Sequence, residues 1–89
     1  MKLTPLLLLI PLLSGAALAD PQCTQTDQSK WLSEAHAQQQ IKAMGYDIKK
    51  FKVTKTSCYE IYGWDKDKRK VEIYFDPTDL KKVKEEIDE

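Results

Sequence analysis

Apolar and polar residues alternate with a period of two across Tyr59–Trp64 and again across Lys70–Phe75, and the polar run Asp65, Lys66, Asp67, Lys68 separates the two stretches. This is the pattern of two half-buried strands joined by a tight turn. If Asp65 pairs with Arg69 across the loop, Gly63 faces Val71, Ile61 faces Ile73 and Tyr59 faces Phe75, so the apolar side chains of both arms share one face. Lys68 then takes the last loop position, where the backbone needs a positive φ and glycine is the usual occupant.

Upstream, Phe51 and Val53 alternate with Lys50 and Lys52, predicting a strand over Asp47–Thr56 that turns back at Lys55, Thr56 and Ser57. Pairing Val53 with Tyr59, Phe51 with Ile61 and Lys52 with Glu60 keeps the same buried face, while Ile48 is out of phase and marks a connection or bulge. Lysines at 49, 50, 52 and 55 decorate what becomes an edge strand, which discourages edge-to-edge pairing. Before it, Ser33 suits an N-cap and Glu34 the first turn of a helix running to about Met44. Ala37, Ile41 and Met44 form its buried stripe, and Gly45 is its C′ residue. After Phe75, Asp76 and Pro77 suit a helix start, and Leu80, Val83 and Ile87 have helical spacing, so a short C-terminal helix is favoured over a fourth strand. The expected class is α+β: one N-terminal helix packed on a three-stranded antiparallel meander, with a short C-terminal helix or turn.

The first nineteen residues carry one lysine and then LLLLIPLLSGAALA, ending in Ala17, Leu18 and Ala19, the layout of a secretory signal peptide cut before Asp20. The apolar run is short for a membrane span and is interrupted by Pro11 and Gly15, so no membrane insertion is expected once it is removed. Removing those nineteen of 89 residues leaves 70: a polar N-terminal arm over residues 20–30 and a single domain over 31–89. A domain of that size buries only about 60% of its unfolded surface. Cys23 and Cys58 are the only cysteines, and in an oxidising compartment they are expected to form one disulfide, closing a loop of about 36 residues for roughly 3 to 4 kcal/mol. Their spacing is not that of a Cys-x-x-Cys redox pair.

Fourteen basic residues balance fourteen acidic ones, and losing Lys2 with the leader leaves the remainder near −1. Nucleic acid is therefore not an expected partner. His36 is the sole histidine and stands on a polar helix with no second ligand near it. Asp65, Asp67 and Asp76 have the spacing of some calcium-loop ligands, but Arg69 occupies a place where that loop needs a ligand. No metal, cofactor or catalytic residue is expected, and the chain does not read as an enzyme. The sheet face away from the helix is more informative: Tyr62, Trp64 and Tyr74 stand there among charged residues that include Lys52 and Glu72, a composition suited to binding a protein partner. The competing reading folds the N-terminal arm across that face, held by Cys58, with Trp31 covering some of the aromatics.

The order of these features, a helix ending in Gly45 and Tyr46, a lysine-rich strand, Cys58-Tyr59-Glu60, and then Val71-Glu72-Ile73-Tyr74-Phe75-Asp76-Pro77, resembles the small exported PepSY-domain proteins of bacteria. The resemblance spans nearly all of the chain after the leader. It implies an α+β domain in the periplasm or secreted, related to a module in the propeptides of thermolysin-like metalloproteases and proposed to inhibit or regulate proteases by binding, with no catalytic residues to transfer. The chain departs from the family pattern at Lys68 and at Asp79, where a turn glycine is usual; the second departure puts the family's C-terminal strand in doubt here. The expected function is a monomeric, non-enzymatic protein-binding module acting on a protease. The alternative is a structural or sensory accessory that binds the external domain of a membrane protein in the cell envelope.

Overall fold

The computed structural model describes residues 20–88 of the 89; the leader read over residues 1–19 lies outside them. After a 3-10 turn at Gln28–Lys30 come helix α1 (Glu34–Ala43) and strands β1 (Asp47–Val53), β2 (Tyr59–Trp64), β3 (Lys70–Phe75) and β4 (Lys82–Asp88). The strands form one antiparallel sheet in chain order. Among the described residues no helix is long and apolar enough to cross a membrane.

The start of α1 is fixed as its sequence dictates: Ser33 is extended and its Oγ accepts the His36 N–H at 3.1 Å, satisfying one of the orphan donors of the first turn. Ala37 and Ile41 are fully buried, but Met44 is 47% exposed and does not complete the expected stripe. The helix ends at Ala43, and Gly45, at φ 105°, turns the chain toward β1, so Met44 caps the helix and leaves its buried face.

The registers of the meander follow the alternation. Val53 pairs with Tyr59, Phe51 with Ile61 and Lys52 with Glu60 on one side of β2; Tyr59 pairs with Phe75, Ile61 with Ile73 and Gly63 with Val71 on the other. The out-of-phase Ile48 marks a real irregularity, because the register of β1 slips between Ile48 and Lys50. Against the apolar face lie Ala37, Ile41 and the buried Leu80, with Trp31, Leu32, Tyr46 and Phe51 around them. Ile41, Ile61, Ile73 and Phe75 are completely enclosed, each contributing roughly 1.5 to 3 kcal/mol through apolar burial.

Both hairpin loops of the meander have the same build. Thr54 and Cys58 close one around Ser57 at φ 64°, and Asp65 and Arg69 close the other around Lys68 at φ 68°. A left-handed residue with a Cβ costs roughly 1 kcal/mol relative to glycine. Lys68→Gly is therefore expected to raise stability by up to about 1 kcal/mol, reduced by the greater freedom glycine has when unfolded, and Lys68→Val to lower it. Urea denaturation of the three proteins is the check, and a clearly destabilised glycine variant would contradict the geometry.

The C-terminal segment is strand β4, not a helix. Asp76 does begin a turn: its Oδ1 accepts the Thr78 N–H at 2.9 Å and the Leu80 N–H reaches its carbonyl. Leu80 then adopts φ 63°, which stops helix propagation and drops its side chain into the core. The Asp76 N–H donates to Lys81 O, and residues 82–88 pair along β3, satisfying a strand edge that a helix would have left open. The positive φ falls at Leu80, so Asp79 needs no glycine.

Candidate functional site

Alternation sends Tyr59, Ile61, Val71, Ile73 and Phe75 toward the helix and Glu60, Tyr62, Trp64, Glu72 and Tyr74 to the opposite face. The N-terminal arm reaches this second face at one end. Cys23 is bonded to Cys58 with Cα atoms 5.0 Å apart, the Cys23 N–H donates to Thr56 O at 3.2 Å, and Asp20 Oδ1 lies 3.1 Å from the Tyr74 hydroxyl. Trp31 does not accompany it. The arm passes the β1–β2 turn, and the Trp31 indole stands edge-on to Tyr59 on the helix side, 5.6 Å between centroids, with its Nε1–H donated to Thr26 O. Trp31 is placed there because the Leu32 N–H donates to Pro77 O and the Leu32 carbonyl accepts from the Tyr59 hydroxyl.

Beneath Asp20 lies an acid cluster that period-two reading only half exposes. Glu60 is 2% exposed, with Oε1 3.8 Å from Lys52 Nζ and Oε2 buried without a hydrogen-bond partner among the protein atoms. Burial first, and then the hydrogen bond and negative charge of Glu72, push its carboxyl up to about 7 against the lowering effect of the Tyr62 and Tyr74 hydroxyls. Glu72 moves the other way: the proton offered by Glu60, then the Tyr74 and Tyr62 hydroxyls and Lys84, hold it below the usual carboxylate range. The pair is best described as one proton held mainly on Glu60. Burial, followed by the negative carboxylates that accept from them, pushes the Tyr62 phenol up to about 12 and raises that of Tyr74 as well.

Of the residues singled out from the sequence, Lys52, Glu72 and Tyr74 belong to this cluster. Tyr74 is only 5% exposed, with Lys84 Nζ 5.9 Å above its ring, and offers almost nothing to a partner. Trp64 lies toward the other end of β2, and Tyr62 stands between, its hydroxyl in the cluster. Tyr62 is 36% exposed, Trp64 is half-buried with Lys49 Nζ 5.9 Å from its ring, and both line a groove with Lys70 and Asp88. The sequence pattern points to neither Asp20 nor Lys84, and it places Glu60 on this face without marking it as a site residue, although the pairings Glu60–Tyr74 and Tyr62–Glu72 set the two glutamates diagonally there.

The remaining candidates have structural partners. Asp65 Oδ1 accepts the Arg69 and Asp67 N–H groups and its Oδ2 the Arg69 Nε, and these bonds, led by the Arg69 backbone, hold its carboxyl below the usual range. His36 is exposed on α1, its Nε2 3.0 Å from the Gln40 amide nitrogen. No group of three or more His, Cys, Asp or Glu side chains among the described residues is arranged to hold a metal ion.

Comparison with known families gives one finding: the family model for the peptidase propeptide and YPEB domain matches residues 3–86. The chain belongs to this PepSY family. Such domains are propeptide- or inhibitor-like modules. No curated protein and no solved structure matches the chain significantly.

Proposed function

We propose that this PepSY domain is exported to the periplasm or beyond, loses its leader before Asp20, and acts there as a non-enzymatic binding module that regulates a protease, docking through Tyr62 and Trp64. The observation that supports it most is the unequal covering of the sheet. One face is closed by α1, whereas the other keeps Tyr62 and Trp64 accessible within a rim of Lys49, Lys70 and Glu72. Aromatics of this kind contribute binding energy beyond their number when they fill a partner's pocket. The disulfide suits an oxidising compartment, and the family description is that of a peptidase propeptide.

Inhibition assays against a panel of exported proteases, metalloproteases included, test the reading. Trp64→Ala is expected to weaken inhibition at least tenfold, about 1.4 kcal/mol, with an unchanged circular dichroism spectrum. Inhibition that survives the substitution places the docking surface elsewhere, and a panel in which nothing is inhibited removes the protease reading.

A further inference from the structure

We propose that cleavage after Ala19 converts the Asp20 nitrogen into an α-ammonium that docks in cis against the Glu60–Glu72 cluster, locking the N-terminal arm onto the sheet only in the processed protein. The proposal rests on the leader removal stated above and concerns the opposite end of the sheet face from Trp64. Asp20 lines the same cavity as Glu60, Glu72 and Tyr74. Its carboxylate already reaches Tyr74, and its nitrogen is only a few covalent bonds from that carboxylate.

Hydrogen-bond donors are short there. The Tyr74 hydroxyl stands 3.1 Å from Asp20 Oδ1 and 3.0 Å from Glu72 Oε2, yet a hydroxyl has a single proton to donate. Glu60 Oε2 has no partner, and Lys52 stands 3.8 Å from Oε1, beyond hydrogen-bond reach. Lys84 is engaged over the Tyr74 ring and with Glu86, 3.4 Å away, while Tyr62 offers one proton more. Even counting the proton held on Glu60, the three carboxyl groups present more acceptor oxygens than donors reach. A primary ammonium brings three N–H donors and a positive charge, whereas the peptide nitrogen of the unprocessed chain brings one donor and none. Little ordering entropy opposes the docking, because the disulfide, the Cys23 N–H and the Gln22 amide, which donates to Thr56 O, already hold the arm.

The sign of the pH effect follows. With only an amide at the cluster, Glu60 keeps its proton to about 7, so the unfolded carboxyl releases its proton first and stability falls as pH rises from the ordinary glutamate range toward neutrality. A docked ammonium lowers the Glu60 carboxyl and flattens that fall.

Three proteins test this: one beginning at Asp20, one retaining Ala19, and Glu60→Gln beginning at Asp20. The α-amine is titrated through the pH dependence of its acylation, located by mass in the N-terminal peptide. In the first protein it should titrate about one pH unit above the ordinary range of roughly 7.7 to 8.0 and react several-fold more slowly near pH 8. In the other two it should be ordinary. The unfolding midpoint should fall when Ala19 is retained. Equal titration and equal midpoints with and without Ala19 overturn the docking. An exported protein whose N-terminal sequence does not begin at Asp20 overturns the processing on which it rests, and neither result bears on Trp64.

Discussion

Replacing Cys23 and Cys58 together by alanine should lower the stability of the domain by about 3 to 4 kcal/mol, the largest loss expected from any change outside the core. The bond joins residues 35 apart in sequence, so in the unfolded chain it closes a long loop and removes much of its conformational freedom. In the folded chain it does more than cross-link, because the Cys23 N–H on Thr56 O and the Asp20 contact with Tyr74 depend on the arm being held at the β1–β2 turn. Native domains have about 0.05 to 0.15 kcal/mol per residue of net stability, so for the 70 residues from Asp20 onward the loss is roughly 30% or more of the total. Urea denaturation of the oxidised, reduced and double-alanine proteins is the measurement. A midpoint that moves by an amount worth less than about 1 kcal/mol would show that the arm and the sheet are independent of the bond.

The centre of the fold was legible because two constraints coincide there. The loop between Asp65 and Arg69 sets the register, and parity then puts Ile61, Ile73, Tyr59 and Phe75 on one face, so any slip by one residue would expose them all. The C-terminal segment lacked a second constraint. Asp76 and Pro77 suit a turn as well as a helix start, and the apolar residues that follow, Leu80, Val83 and Ile87, have a spacing that one left-handed residue at Leu80 makes irrelevant. That error propagated into the site. With three strands β3 would be an edge and Tyr74 an exposed aromatic; with β4 beside it, Lys84 lies over Tyr74 and the ring is covered. Glu60 was seen as the partner of Lys52, but its burial depends on the arm, on Tyr74 and on the neighbouring strands together, which no local pattern encodes.

Gly63→Ala should lower stability by about 2 to 4 kcal/mol, although glycine in a strand interior is ordinarily worth replacing. The usual expectation for glycine to alanine at a compatible site is a gain of about 0.4 to 1 kcal/mol from the stiffer unfolded chain. Here a Cβ would lie 1.9 Å from the Asp47 carbonyl oxygen, 3.0 Å from its carbon and 3.2 Å from Ile48 Cα. All three are backbone atoms, so no side-chain rotation relieves the clash. They are this close because the irregularity in β1 falls at Ile48, which pairs with Gly63, just before the register slips at Lys50. Alanine therefore forces the start of β1 away from β2 and weakens the Asp47–Trp64 and Ile48–Gly63 pairings, which also loosens Trp64 and Lys49 at the candidate docking surface. Gly45→Ala is the internal control. Its Cβ would meet only Lys66 Cβ at an ordinary 3.7 Å, and its φ of 105° makes backbone strain the sole cost, so its loss should be the smaller. Chemical denaturation of both variants, with amide exchange read at residues 47 to 49, separates the two mechanisms. A Gly63→Ala protein as stable as the original, or more stable, would mean that the β1 irregularity does not rest on Gly63.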